Sequence, residues 1–220
     1  MNRRIICLLL CIPFLPISAN DGERTVFNLN GIWQFDQTVN AFPPAKFTRT
    51  IPVPGLVVVA QAAELCCGFF YNWEKLRDVT QSGFLDFSYF KDNVYTDPDG
   101  ERILVEGALR YLANDHPDFM FVYFGTVDTA GEAYGWLTDK FYEQLKRVDG
   151  TLGRLLRGLP PDATVLLHAN HGGYDKGHGT DSPEDTTIPW TVAGPGIRSG
   201  YEIQSKVTLL ETAPSSYFTH

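Results

Sequence analysis

Cysteine is scarce, with four in 220 residues. Cys7 and Cys11 lie in the N-terminal apolar run and leave with it if that run is cut off. Cys66 and Cys67 are adjacent, and adjacent cysteines rarely pair with each other. No disulfide framework follows, and both are expected to be ordinary, partly buried thiols. Basic charge is also short: 18 Lys and Arg stand against 26 Asp and Glu, a net charge of -8. That balance argues against a nucleic-acid partner, whose phosphates need a basic patch. Beyond the N-terminus no apolar run has the length to cross a bilayer. Repeats and low-complexity tracts are missing too. What remains is 44% hydrophobic and 13% aromatic residues, the composition of a globular protein. The length suits one domain, or one domain plus a small module.

The N-terminus has the layout of a secretory signal peptide over residues 1–19. Asn2-Arg3-Arg4 supplies the positive start. Ile5 to Ile17 supplies an apolar core broken by Pro13 and Pro16, and Ser18-Ala19 a small-residue cleavage site. The expectation is export to the periplasm or outside, with no transmembrane helix after signal removal. An uncleaved anchor is the competing reading. A lipoprotein site at Leu8-Leu9-Leu10-Cys11 is disfavoured by the bulk of Leu10.

Residues 20–67 read as a short β module. Leu29, Trp33 and Phe35 share the faces of a short strand or turn. Phe47-Thr48-Arg49-Thr50-Ile51 alternates before the turn Pro52-Val53-Pro54-Gly55. The words Asn28-Leu29-Asn30-Gly31-Ile32-Trp33-Gln34-Phe35 and Ile51-Pro52-Val53-Pro54-Gly55 resemble the opening of the sugar-binding jelly roll of glycoside hydrolase family two. The resemblance spans about forty residues, so the module is expected to be an incomplete jelly roll. No glycosidase carboxylate pair carries over. Trp33 is a core tryptophan or, less readily, a sugar-stacking one.

From residue 68 to 220 the pattern alternates helix and strand, the signature of an α/β domain. Asp97-Pro98-Asp99-Gly100 is a turn leading into a helix over 102–114, with Ile103, Val105, Leu109 and Leu112 on one stripe. Phe119 to Phe124 is a continuous apolar run, as in a parallel strand covered on both faces. A helix over 138–157 carries Phe141, Leu145, Val148, Leu152 and Leu155 at helical spacing. Gly150 and Gly153 interrupt it, which points to close packing, and Gly158 with Pro160 stops it. Thr164 to Ala169 is the next strand, so the unit is β-α-β with a right-handed crossover.

In open α/β sheets ligands gather beyond the carboxyl ends of the strands. Two polar clusters fall there: Val127-Asp128-Thr129-Ala130-Gly131-Glu132 and Asn170-His171-Gly172-Gly173, the latter followed by Gly177-His178-Gly179-Thr180. If the two strands are neighbours, about 4.8 Å apart, their loops converge on one metal site. Oxygen and imidazole donors together suit zinc or another borderline divalent ion. Residue types alone leave the bland alternative open: Asp128 as a loop cap and His171 as a satisfied core histidine.

The stretch Asp118 to Asp128, with Gly131 and Tyr134-Gly135-Trp136, resembles the alkaline phosphatase superfamily. The nearest branch is the type I phosphodiesterase/nucleotide pyrophosphatase group and its sulfatase-like relatives. Val148-Asp149-Gly150, Asn170 to Asp181, Pro183 to Trp190 and Gly194-Pro195-Gly196-Ile197 fit the same pattern. The implied fold is a partial alkaline-phosphatase-like sheet with flanking helices, preceded by the incomplete β module. The resemblance implies one or two metal ions, usually zinc, with Asp128, His171 and His178 matching family ligands. Glu132 stands where the family has histidine, and Asn170 where it has aspartate. Glutamate still ligates zinc, whereas asparagine is a neutral, weaker donor. No Cys-x-Pro-x-Arg sulfatase word is present, and no Thr or Ser matches the family nucleophile, so the catalytic residue is unassigned. The reading is a metal-dependent hydrolase of small phosphate esters, truncated and weak or inactive alone. The alternatives are a non-catalytic remnant or fusion with a scaffold or carbohydrate-binding role, and a sulfatase-like hydrolase of sulfate esters.

Overall fold

A computed structural model describes residues 5–10, 31–35, 49–53, 65–79, 85–92, 97–204 and 207. Its centre is a six-stranded sheet. The strands are β1 (Ile5–Leu10), β4 (Cys67–Tyr71), β5 (Phe87–Phe90), β6 (Phe119–Phe124), β7 (Thr164–His168) and β8 (Trp190–Ala193), in the order β5-β4-β6-β1-β7-β8. All neighbours are parallel except β7 and β8. A separate antiparallel pair, β2 (Gly31–Phe35) and β3 (Arg49–Val53), lies in the segment read as a β module. The rest of that module lies outside the described residues.

The apolar run of β6 is explained by its position. Phe119 and Tyr123 join Cys67, Phe69, Tyr71 and Leu166 on one face, and Phe121 stacks on Phe69. Met120, Val122 and Phe124 point the other way, into a larger cluster with Val105, Ala108, Phe141, Val148 and Leu155. A strand buried on both faces carries apolar residues at every position.

Four α-helices are described: α1 (Gly100–Asp115), α2 (Thr126–Tyr134), α3 (Asp139–Arg157) and the single turn α4 (Pro183–Thr186). The stripe expected on α1 holds at Val105 and Leu112, with Leu109 packed at the edge of the core and Ile103 at its margin. The buried residues are Gly100, Glu101, Leu104, Val105, Ala108, Tyr111 and Leu112. The stripe on α3 is as expected, with Leu145 at its edge and one polar addition, Gln144. Thr138 caps α3 by accepting from the Phe141 N–H, and Gly158 ends it. A Cβ at Gly158 would collide with Leu109. Close packing does not account for Gly150, where an added Cβ meets nothing within 4 Å.

Two sequence expectations are corrected. The strands bearing the polar clusters are not neighbours, because β1 stands between β6 and β7. The first polar cluster is not a loop but the helix α2. Cys66 and Cys67 are free thiols, as expected. Cys67 is fully buried, and burial, followed by the Asp86 carboxylate, pushes its pKa up to about 12. Such a thiol is inert at neutral pH. Among the described residues no helix is long and apolar enough to cross a membrane.

Candidate metal site

Helix α2 starts one residue after β6, and it is capped from outside. Gly125, its N-cap, offers no side chain. The Gly125 N–H donates instead to Asn72 Oδ1 at 3.1 Å, and the Thr126 N–H to Glu101 Oε1 at 2.8 Å. Gln144 donates to Thr126 Oγ1 at 2.6 Å and to the Pro98 carbonyl at 2.8 Å. All four of these side chains are buried. Acceptors at this point satisfy donors that a helix start leaves unpaired. Burial holds the Glu101 carboxyl above the usual carboxylate range, against the lowering effect of its Thr126 and Asn72 hydrogen bonds.

Asp128 then falls in the first turn of α2, where a carboxylate is favoured by the helix dipole. Glu132 lies four residues on, along the same face. Trp136 closes the turn after α2 and its ring is buried. An added Cβ at Gly131 or at Gly173 would overlap that ring, at 2.6 Å and 2.5 Å from Cδ2 respectively. Trp136 therefore packs against both the helix that carries Asp128 and the loop that carries His171. Its backbone N–H donates to the Asp175 carbonyl at 2.7 Å, and its ring meets His178 edge-on at 5.8 Å.

The loop after β7 is held as tightly. The Gly172 N–H donates to the Asp185 carbonyl at 2.7 Å, and a side chain there would strike the Glu184 carbonyl. The buried Asp185 carboxylate accepts from the Thr180 N–H at 2.7 Å and hydroxyl at 2.6 Å. These bonds hold its pKa below the usual range. They fix the chain two residues past His178. A cavity of about 340 Å³ opens there, lined by Tyr174, Gly177, His178, Thr180, Ser182, Glu184 and Asp185.

These elements bring Asp128, His171 and His178 together, each offering one donor atom, all within 4.8 Å of one another. His171 Nε2 is 3.8 Å and His178 Nε2 3.9 Å from Asp128 Oδ1. The two imidazoles stack, with centroids 3.9 Å apart and planes at 14°. His171 Nδ1 lies 2.7 Å from the Gly172 carbonyl. A carbonyl only accepts, so Nδ1 donates in that contact, and Nε2 is the ring nitrogen that faces Asp128. Asp128 Oδ1 is buried and has no hydrogen-bond partner. Burial raises the Asp128 pKa. The nearby His171 opposes that rise, Glu132 adds to it and His178 opposes it.

The donor set fits a zinc-type ion. Tetrahedral bonds of about 2.0–2.1 Å place ligand atoms roughly 3.4 Å apart. The two imidazole nitrogens, 3.8 and 3.9 Å from Asp128 Oδ1, stand a few tenths of an ångström wider than that, and this carboxylate oxygen lacks any hydrogen-bond partner. Of the other two residues singled out from sequence, Glu132 is half-exposed and reaches only His178, at 3.6 Å. Asn170 sits half-buried beside His171 in the same loop. Nothing in the local sequence marks Glu101, Asn72 and Gln144 as supports of α2. Asp185 lay inside a recognised stretch, but nothing in its spacing marked it as the acceptor for Thr180.

The family of type I phosphodiesterases / nucleotide pyrophosphatases matches residues 42–179. No curated protein sequence matches the chain. Several solved structures are similar. One is the PH0037 protein from Pyrococcus horikoshii, at 16% identity and a TM-score of 0.46 over 63% of this chain and 40% of that one. Another is murine ectonucleotide pyrophosphatase/phosphodiesterase 5, in an inactive form in complex with AMP, at 19% and 0.43 over 57% and 33%. A third is a Listeria monocytogenes lipoteichoic acid synthase, at 14% and 0.44 over 64% and 46%. The chain thus spans less than half the length of each. The family match spans more than half of the chain, and the chain belongs to the type I phosphodiesterase/nucleotide pyrophosphatase family.

Proposed function

We propose that this chain holds a divalent ion, zinc foremost, through Asp128, His171 and His178, and that it is a weak or inactive phosphate-ester hydrolase on its own. The observation that carries the metal reading is the buried Asp128 Oδ1, unpartnered and facing two imidazole nitrogens. Glu132, against His178, is the fourth donor at hand. Asn170 adds no charge, so a second ion next to His171 is held weakly. When bound, the ion supplies Lewis-acid polarisation of a phosphoryl oxygen. The chain's own contribution is to hold the His171 tautomer through Gly172 and to fix α2 and the His178 loop against Trp136.

Weak activity is supported by the hydroxyls near the site. Thr126 Oγ1 accepts from Gln144, Thr129 donates to the Thr126 carbonyl, and Thr180 donates to Asp185. Each of these three has a structural partner. The AMP complex of the murine relative makes a nucleoside phosphate ester the first small molecule to try.

The test is zinc content after dialysis, measured alongside hydrolysis of p-nitrophenyl phosphate, the p-nitrophenyl ester of thymidine monophosphate, and p-nitrophenyl sulfate. The expected result is one exchangeable zinc per chain and little turnover. Robust, saturable hydrolysis abolished by His171→Ala would refute the weak-activity half. Absence of zinc binding, unchanged by Asp128→Asn, would refute the site. Pairing Glu132→His with Asn170→Asp should tighten zinc binding, on the same reasoning.

A further inference from the structure

The apolar segment that opens the chain has two incompatible uses. As sequence, it has the layout of a leader cut after Ala19. In the fold, Ile5–Leu10 is β1, an interior strand of the sheet. All six of its residues pair in parallel with Phe119–Phe124 on one side, and five pair with Thr164–His168 on the other. Its composition, Ile-Ile-Cys-Leu-Leu-Leu, suits both uses, because a leader core and a strand covered on both faces are equally unbroken apolar runs.

Parallel strands stand about 4.8 Å apart. Without β1, β6 and β7 would face each other across roughly twice that distance, too far for direct backbone hydrogen bonds. The sheet would divide into β5-β4-β6 and β7-β8. Each part would present an inner edge of unpaired backbone donors and acceptors. The loss would also reach the metal site, since Asp128 follows β6 and His171 follows β7. Their separation is set by the strand that stands between.

We infer that the gap between β6 and β7 is a strand-acceptor site whose occupant is the chain's own Ile5–Leu10. Cutting after Ala19 and completing the sheet therefore exclude one another, and the folded protein keeps this segment. Its N-terminus is a structural strand held on both sides, whatever the metal site binds.

Hydrogen–deuterium exchange on the full-length chain, produced where no leader peptidase acts, tests this directly. Peptides covering 5–10, 119–124 and 164–168 are followed together. The N-terminal peptide should exchange as slowly as the other two, on the order of a hundredfold or more below the free-chain rate. Free-chain exchange of residues 5–10, with β6 and β7 still protected, overturns the assignment. A second measurement compares Leu8→Pro with Leu8→Val. Proline removes an N–H from a strand bonded on both edges, where it is not tolerated. Leu8→Pro should lower the urea midpoint or abolish the soluble fold, while Leu8→Val leaves the midpoint within error. Equal midpoints for the two variants overturn the proposal.

Discussion

Gly131→Ala offers a test in which two opposing effects can be weighed. Gly131 is a buried residue near the middle of α2, where alanine is intrinsically favoured over glycine by about 1 kcal/mol. Propensity alone therefore makes the substitution stabilising. Packing opposes it. An alanine Cβ would lie 2.6 Å from Trp136 Cδ2 and Cζ2, more than 1 Å inside ordinary carbon contact. The indole is 5% exposed. Its retreat is limited by Gly173, whose own Cβ would meet the same ring atoms. Overpacking of this kind costs about 1–3 kcal/mol, so the net expectation is a destabilisation of up to about 2 kcal/mol. With Trp136→Phe the fused ring that meets the Cβ is gone. Gly131→Ala should then be neutral or stabilising by up to about 1 kcal/mol, the propensity term alone. Urea unfolding followed by far-UV circular dichroism gives the four stabilities of the double-mutant cycle. Zinc titration of the same proteins should show weaker binding only in the single Gly131→Ala variant, since a displaced α2 carries Asp128 with it. A Gly131→Ala effect of the same sign and size in both backgrounds would refute the reasoning.

Three further outcomes follow from the site. Asp128→Asn should raise the unfolding midpoint of the zinc-free protein at neutral pH while removing zinc binding. The folded-state pKa of Asp128 is raised, so its ionised form destabilises the fold increasingly as pH rises through the ordinary carboxylate range toward the raised value; urea melts at acidic and neutral pH should show the two proteins converging on the acid side. Asp185 behaves oppositely. Its folded pKa is lowered by Thr180, so its stabilisation is present above about pH 4 and lost as pH falls through the lowered value. Thermal melts from pH 7 to pH 2 should therefore show a shallower acid decline in Asp185→Asn. Glu101→Ala should destabilise by about 1–3 kcal/mol, because the Thr126 N–H at the start of α2 loses its acceptor. Glu101→Gln, which keeps an acceptor oxygen, should recover most of that loss in the same urea assay.

Much of the α/β domain was legible because local pattern and burial agree. β6 was bounded correctly from its apolar run, since a strand covered on both faces has no polar position to blur its ends. The stripe on α3 was legible because its cap, its stop and its apolar spacing all point the same way. On α1 Val105 and Leu112 were read correctly, but Glu101 and Ala108 are buried there while Ile103 is marginal. Composition alone ranks those residues in the opposite order. Helix α2 was missed because its caps, Asn72 just past β4 and Glu101 on α1, lie 53 and 25 residues away from the backbone groups they satisfy. A search for local capping residues at Gly125 finds none.

The sequence by itself determined the residue types proposed to hold a metal and the motifs that place them after β6 and β7. Asp128, His171 and His178 follow the strand ends because that is where an α/β chain puts its polar turns. Only the tertiary structure decided that these three converge, with Glu132 beside His178 at the margin of the group. Convergence depends on the spacing of β6 and β7, on the Trp136 ring between two glycines, and on a carboxylate at Asp185 holding the His178 loop. It also decided the place of Ile5–Leu10. An unbroken apolar run is the same string of residues in a leader and in a central strand, and only pairing on both edges distinguishes them.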